Sequence, residues 1–193
     1  KFLDDLRQAD AFIHIVDMSG KTDENGLPAD NHDPLLDIKW LEEEIELWIK
    51  GIIEKTWANE TAIVKQLTGF TPKDEIIRQC IKDAGKDLKK LARIIRERTK
   101  PMLIAANKMD LPESDNNFAR ISKLITNVIP CSAEMEIILR LANEKGLIIY
   151  DESGKFEISY KANDQQRKVL DALKELISKH GSTGVQKCLE IRA

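Results

Sequence analysis

The chain has 193 residues, of which 42% are hydrophobic and 33% are charged, and its formal net charge is −3. A chain of this size can hold one domain with an insertion, and its slightly negative charge argues against uniform coating of nucleic acid, so we expect no DNA partner. No apolar run approaches the roughly 18 residues that a membrane span needs, so we expect no membrane partner. The cysteines are odd in number and widely spaced, which argues against a disulfide framework or a zinc site and suits a reducing cytoplasm.

The first predicted elements are a helix end, a strand and a loop. Residues 1–9 carry apolar side chains at helical spacing, and residues 11–16 form a short apolar run that predicts a strand. Residues 17–31 are polar and are interrupted by glycine and proline, which predicts a loop. Within this loop, Gly20-Lys21-Thr22 resembles the end of a phosphate loop. We predict that it binds no phosphate, because the first glycine of that motif is missing and no helix is predicted to follow.

A helical insertion is predicted next, at 33–98. Asp33-Pro34 is typical of a helix start, with Asp33 as the N-cap. Beyond it, apolar residues recur at three- and four-residue steps, which indicates amphipathic, coiled-coil-like helices.

Two helices of this insertion carry opposite charge. Residues 37–47 are rich in acidic side chains, whereas the helix at 86–98 and the residues up to 100 are rich in lysine and arginine. One interpretation is an antiparallel pair of helices with solvated, complementary flanks, in which each exposed ion pair contributes about 0 to 1 kcal/mol. The other is that the basic helix 86–100 contacts RNA, with salt-dependent binding. The two interpretations are compatible.

The motif Asn107-Lys108-Met109-Asp110 directly follows an apolar run at 102–106, which predicts a buried strand of a parallel sheet. A guanine base presents two adjacent N–H donors, and an ionised aspartate can accept both, so Asp110 is a candidate for guanine recognition. Adenine lacks that donor pair and would leave the carboxylate unpaired, which would favour GTP over ATP.

A second short apolar run, at 127–130, predicts a neighbouring strand, and it ends in Cys131-Ser132-Ala133 before a predicted helix. Nucleotide sites in open α/β sheets lie beyond the carboxyl ends of the strands. Both polar motifs are therefore placed at the edge where a nucleotide would bind.

The last third of the chain predicts a hairpin and a helix. Residues 147–150 and 156–160 flank Ser153-Gly154, which is typical of a β-hairpin, although the first of these segments could also end a helix. Residues 165–180 are amphipathic, and Gly181 is placed to end that helix.

Asn107-Lys108-Met109-Asp110 and Ser132-Ala133 resemble the base-recognition pair of the Ras-like GTPases. The chain is also similar to the Obg-related, YchF-like GTPases, closest to their archaeal branch. Three further stretches carry this resemblance: Lys1-Phe2-Leu3-Asp4-Asp5-Leu6-Arg7-Gln8-Ala9-Asp10, Ile15-Val16-Asp17-Met18-Ser19-Gly20 and Gly181-Ser182-Thr183-Gly184-Val185-Gln186.

The resemblance implies an α/β fold, namely the C-terminal part of a Ras-like P-loop GTPase domain with a mostly parallel sheet and a helical insertion. Residues 1–32 and 99–150 would form the partial GTPase domain, and 33–98 the insertion. Residues 151–193 would lead toward a small C-terminal TGS domain, which we expect to lie beyond this chain. The phosphate loop and the switches of the parent protein would precede this chain.

The resemblance also implies a role for each site residue. Asp110 would accept from the guanine edge, and the aliphatic stem of Lys108 would lie along the base plane. Asn107 would tie the base loop to the phosphate loop and contact the base. Ala133 would donate its backbone N–H to the guanine carbonyl oxygen, and Ser132 would hold that loop.

None of these residues performs chemistry, and we expect no catalytic residue and no metal ligand in this chain. The ligand would be GTP or GDP, with Mg²⁺ bound by other parts of the intact parent. Hydrolysis of GTP in such proteins is largely positioning and charge stabilisation by the phosphate loop, the switches and Mg²⁺. The parent would thus be a cytoplasmic GTPase, associated with translation or the ribosome, and this part alone would be inactive.

Two other classes of function stay open. The chain could be a non-catalytic helical interaction module with a degenerate nucleotide site. It could also belong to another doubly wound nucleotide binder that carries the base motif by accident, and such a protein would not distinguish guanine from adenine nucleotides.

Overall fold

The structure is a computed structural model that describes residues 6–71, 73–150 and 155–190. In chain order its strands are β1 (Phe12–Asp17), β2 (Met102–Asn107), β3 (Val128–Pro130), β4 (Ile148–Tyr150) and β5 (Phe156–Ile158). Its helices are α1 (Pro34–Ile53), α2 (Glu60–Gln66), α3 (Asp74–Ala84), α4 (Leu88–Thr99), α5 (Ser114–Ile121), α6 (Ala133–Glu144), α7 (Asp164–His180) and α8 (Val185–Leu189). None of the described helices is both long enough and apolar enough to cross a membrane.

The chain divides into two compact units. The helical unit contains Ile38–Leu103 and the described residues up to Ile13, and the nucleotide-side unit contains His14–Asp37 and the described residues from Ile104 onward. The predicted insertion at 33–98 overlaps the helical unit for most of its length. The predicted assignment of these ranges to a partial GTPase domain and an insertion stays a prediction.

The helical unit has its own apolar core. Residues spaced three and four apart on α1 point inward, as the sequence predicts, and Ile45, Ile49 and Ile53 are each at most 1% exposed. They pack with fully buried residues of α3 and α4, including Ile77 and Leu91. The helices of this unit are therefore held mainly by a shared hydrophobic core.

Two cations of the predicted basic segment 86–100 are buried in the structure rather than exposed. Arg96 is 7% exposed and contacts two glutamates of α1, Glu42 at 3.2 Å and Glu46 at 3.0 Å. Lys100 lies just past the end of α4 and is 1% exposed, with its Nζ donating to backbone carbonyls of the same unit. The predicted basic surface 86–100 is thus wrong at Arg96 and Lys100. Both cations are used inside the unit, because a buried charge needs hydrogen-bond partners.

The nucleotide-side unit is built on a three-stranded parallel sheet with the order β1-β2-β3. In the register, Ile104 is paired with Val128 and Ala106 with Pro130. Four consecutive residues of β2, from Leu103 to Ala106, are buried, as is typical of a parallel strand that is covered on both faces. This arrangement confirms the predicted α/β class and places the base motif at the end of the central strand.

The predicted hairpin strands are present. β4 and β5 pair antiparallel, with Ile148 opposite Ile158, and the residues predicted for the turn, Ser153-Gly154, lie outside the described residues. The hairpin packs with α6 and α7 around Leu139 and Leu173. α7 ends where the sequence predicts, at Gly181, whose φ is 81°.

Candidate functional site

The carboxyl ends of the three parallel strands are joined by backbone hydrogen bonds. Met18 N–H donates to the carbonyl oxygen of Asn107 at 3.1 Å, which links the end of β1 to the end of β2. Met109 N–H donates to the carbonyl oxygen of Cys131 at 3.2 Å, which links β2 to the loop after β3. The two motifs that the sequence places at a nucleotide edge are therefore adjacent in space.

Asn107 connects these motifs through its side chain. Its Oδ1 accepts a hydrogen bond from the backbone N–H of Ala133 at 3.0 Å. The predicted donation from Ala133 to a guanine carbonyl would use the same N–H, so the guanine oxygen would have to share it with Asn107 or replace Asn107 as its acceptor. Three-centre hydrogen bonds of this kind are common near helix termini.

Ser132 fixes the carboxylate of Asp110. Its hydroxyl donates to Asp110 Oδ1 at 2.6 Å and accepts from the N–H of Met135 at 3.2 Å, so the same side chain also caps α6. Ser132 is 1% exposed, whereas Asp110 is half-buried. An ionised carboxylate has about four lone-pair sites, so Asp110 keeps acceptor capacity for a base edge after binding Ser132.

Lys108 has an unusual backbone and a charged partner. Its φ is 64°, a left-handed conformation that costs a non-glycine residue about 1–2 kcal/mol. Its carbonyl oxygen accepts from the Ser114 hydroxyl at 2.6 Å, and its Nζ lies 2.8 Å from Asp17 Oδ2. These contacts hold the stem of Lys108 in place within the loop that carries Asn107-Lys108-Met109-Asp110.

Asp17 organises the loop that follows β1. It accepts from the N–H of Ser19 at 2.9 Å, from the hydroxyls of Ser19 and Thr22 at 2.6 Å each, and from Lys108. Burial raises the pKa of this carboxyl, but the hydrogen bonds from Lys108, Ser19 and Thr22 outweigh it and lower the pKa to about 2. Asp17 is thus an ionised structural acceptor, and its pairing with Lys108 is a feature that sequence reasoning missed.

A cleft of about 290 Å³ opens beside Asp110. Met135 and Leu176 form part of its apolar lining, and Asp115 and Lys179, which form an ion pair, are among its polar lining residues. The acceptor predicted for guanine therefore borders a cleft with both apolar and polar walls, as small-molecule sites commonly do.

The segment Gly20-Lys21-Thr22 has neither the helix nor the free groups of a phosphate loop. No helix begins in the chain between this segment and Pro34. The hydroxyl of Thr22 is bound to Asp17, and Lys21 Nζ lies 3.0 Å from Glu113 Oε1. That this segment binds no phosphate stays a prediction, and these contacts are its structural support.

A separate cluster in the same unit brings together Glu24, His32 and Asp37, whose ligand atoms lie within 4.8 Å of one another. His32 Nε2 lies 2.6 Å from Asp37 Oδ1, and that hydrogen bond raises the pKa of His32. Because His32 and Asp37 already partner each other and Glu24 is exposed, we assign this cluster a structural role in the loop.

Comparison with known families connects this geometry to a class of protein. Residues 105–193 match the family model described as "Obg-like GTPase YGR210-like, G4 motif-containing domain". These residues are therefore similar to that family over somewhat less than half of the chain. The match contains the base motif and the Ser132-Ala133 loop. It confirms the predicted resemblance to an Obg-related GTPase domain.

Three proteins with similarity to almost the whole chain are named as GTP-binding proteins. An uncharacterized GTP-binding protein of Methanocaldococcus jannaschii is 43% identical over 98% of this chain and 54% of its own length. One of Schizosaccharomyces pombe is 27% identical over 96% and 54%. The crystal structure of a GTP-binding protein from Pyrococcus horikoshii OT3 has a TM-score of 0.74 and 35% identity, covering 98% of this chain and 58% of that one. The chain thus spans only about half of the length of these relatives.

Proposed function

We propose that this chain carries the guanine-recognition half of a GTP-binding and GTP-hydrolysing protein of the Obg/YchF type. The observation that carries the proposal is the Asp110 carboxylate, which the Ser132 hydroxyl holds at 2.6 Å directly after the central strand of the sheet. A fixed carboxylate that faces a base edge binds a base with two adjacent N–H donors more tightly than a base without them.

The other site residues support this recognition. Asn107 joins the two loops through Ala133, and Lys108 is held by Asp17, so the stem of Lys108 would lie along the base plane. Groups that are already fixed lose less conformational entropy when the ligand binds. The ligand in this proposal is GTP or GDP.

Hydrolysis would depend on parts of the protein other than these residues. We assign no Mg²⁺ ligand to the described part of this chain, because Asp17, the carboxylate at the end of β1, already accepts from Lys108, Ser19 and Thr22. β1 is an edge strand of the described sheet, and its Ile15 is 67% exposed. In our proposal the remaining strands of the GTPase sheet, with the phosphate loop and the switches, join at this edge.

A ribosome or RNA partner and a cytoplasmic location complete the proposal. With Arg96 and Lys100 buried, the exposed cations near the start of α4 are Lys86, Lys89, Lys90 and Arg93. A cluster of this size can neutralise a few phosphates, and such binding weakens steeply as salt rises.

The decisive experiment measures the affinity of the full-length protein for GDP, XDP and ADP, with Mg²⁺, in the wild type and in Asp110→Asn. Loss of the paired acceptor should weaken the binding of GDP by about 2 to 4 kcal/mol and leave the binding of ADP unchanged. XDP, the xanthine nucleotide, should gain affinity, because the amide of asparagine offers an N–H to the extra carbonyl of xanthine.

The matched control is Asp115→Asn, which removes the same charge from the same cleft and should keep the preference for GDP. A wild type that binds ADP as tightly as GDP would refute guanine recognition. It would favour the alternative of another doubly wound nucleotide binder that carries the base motif by accident. A wild type that binds neither nucleotide would instead favour the interaction module with a degenerate site.

A further inference from the structure

The segment Gly181-Ser182-Thr183-Gly184, called here the GSTG segment, follows α7 and lies against the loop after β3. The carbonyl oxygen of Thr183 accepts a hydrogen bond from the backbone N–H of Ser132 at 2.9 Å. Thr183 is 3% exposed and Ser132 is 1% exposed. The main chain next to the proposed guanine contact is therefore held by a residue that is remote in sequence.

The side chain of Thr183 makes a second contact with the same region. Its hydroxyl donates to Glu136 Oε2 at 2.5 Å, and Glu136 lies in the first turn of α6 with 5% exposure. The other oxygen of that carboxylate, Oε1, lies 2.5 Å from the Nε of Arg140. A buried carboxylate must keep such donors, so Thr183 is fixed to both the loop and the helix that begins after Ser132.

Gly184 permits this close approach. Its φ is 79°, and a Cβ built on it would lie 1.9 Å from the carbonyl oxygen of Pro130 and 2.9 Å from the Cα of Cys131. A side chain here would push the GSTG segment away from the end of β3. Glycine is the residue that satisfies both the backbone conformation and the space.

We propose that Thr183 and Gly184 are positioning residues for guanine selectivity, acting through the Ser132-Ala133 loop. The inference rests on the proposed function, because Thr183 and Gly184 would support the groups that bind the base without contacting the base themselves. Thr183 fixes the backbone of Ser132, and the Ser132 hydroxyl in turn fixes Asp110 at 2.6 Å. A shift of this loop would misplace the two groups that read the base, the Asp110 carboxylate and the Ala133 N–H.

The test uses the full-length protein with Thr183→Val, which keeps the shape of the side chain but removes the hydroxyl. GDP affinity should fall by roughly tenfold, as expected when a buried charged acceptor loses one donor. ADP affinity should stay within about twofold, because adenine makes no use of the displaced groups. Thr183→Ser keeps the hydroxyl and should restore the GDP affinity.

A matched control separates positioning from general stability. Leu173→Ala removes a fully buried side chain of α7 in the same unit, and it should lower the melting temperature without changing the ratio of GDP to ADP affinity. If Leu173→Ala lowers that ratio as much as Thr183→Val does, the effect is structural and the inference is wrong. The inference is also wrong if Thr183→Val leaves GDP affinity intact or weakens GDP and ADP equally.

A second measurement on the unmodified protein covers the case in which Thr183→Val does not fold. Amide hydrogen exchange at Ser132 and in the GSTG segment should slow with GDP and not with ADP, and equal exchange in both would overturn the inference. Asp110→Asn, measured in parallel, distinguishes the two proposals. If it abolishes the preference for GDP while the changes at Thr183 do not, only the positioning role fails, whereas a wild type without that preference overturns both proposals.

Discussion

The Asp17 carboxylate makes the nucleotide-side unit sensitive to acid, and Asp17→Asn tests this directly. In the folded protein the hydrogen bonds from Lys108, Ser19 and Thr22 outweigh the effect of burial and hold the pKa of Asp17 at about 2, below its ordinary value of 3.8. At about 1.4 kcal/mol for each pH unit, this difference amounts to about 2 kcal/mol of folding free energy. The side chain of Lys108 is 41% exposed, so solvent screening reduces the expected value to about 1–2 kcal/mol.

The sign follows from the direction of the pKa change. Because folding lowers the pKa of Asp17, its stabilising contribution is fully present above pH 3.8 and is lost as the pH falls through about 2. The free energy of unfolding of Asp17→Asn should therefore be about 1–2 kcal/mol lower than that of the wild type at pH 7 and pH 5. The difference should shrink below pH 4, with about half of it left near pH 3.

The assay is urea unfolding of the nucleotide-side unit, followed by circular dichroism at each pH. Tryptophan fluorescence would report on the helical unit instead, since Trp40, Trp48 and Trp57 all lie within Ile38–Leu103. Asp171→Asn, an exposed change of the same kind on α7, should alter the stability by less than about 0.5 kcal/mol. An unchanged stability in Asp17→Asn at pH 7, or a difference that persists undiminished at pH 2.5, would refute the reasoning.

Two further predictions concern buried groups outside the base loop. Arg96→Leu should destabilise the helical unit by about 1–3 kcal/mol, because Glu42 and Glu46 lose a buried partner, whereas the exposed Arg93→Leu should change it by less than about 0.5 kcal/mol. Urea unfolding followed by tryptophan fluorescence would check this, and equal effects of the two substitutions would contradict it. The thiol of Cys131 should react slowly with iodoacetamide at pH 8 in the folded protein and rapidly in urea, because a hydrogen bond with Cys188 and burial raise its pKa. Mass spectrometry of the labelled peptides would detect the difference, and fast labelling of folded protein would contradict the assigned environment.

Local patterns were sufficient to predict the elements that carry the base loop. A continuous apolar run followed by Asn107-Lys108-Met109-Asp110 predicted a buried strand, and β2 occupies Met102–Asn107 with a buried interior. Ser132 precedes a helical pattern and is found as the N-cap of α6. These predictions succeeded because strand burial and helix capping depend on neighbours in the sequence.

The partners of these residues could not be predicted in the same way. Lys108 and Asp17 are 91 positions apart, and neither residue carries a local pattern that points to the other. The sequence predicts that Lys100 lies on a basic surface, but its Nζ donates to the backbone carbonyl oxygens of Arg7 and Ala9 at 2.7 and 2.6 Å. A charge pattern shows which residues are cationic, whereas the location of carbonyl acceptors depends on the tertiary fold.

The arrangement of these long-range contacts bears on how a guanine nucleotide would be recognised. Each side chain proposed to contact the base is held by a residue of the same unit: Asp110 by Ser132, Asn107 by the N–H of Ala133, and Lys108 by Asp17. Such contacts fix the side chains before a ligand arrives, so little ordering free energy is spent on binding. Selectivity for guanine should therefore reside in these contacts, whereas total affinity would depend on the phosphate-binding parts. Substitutions at the supporting residues should change the ratio of GDP to ADP affinity more than they change the affinity for ADP.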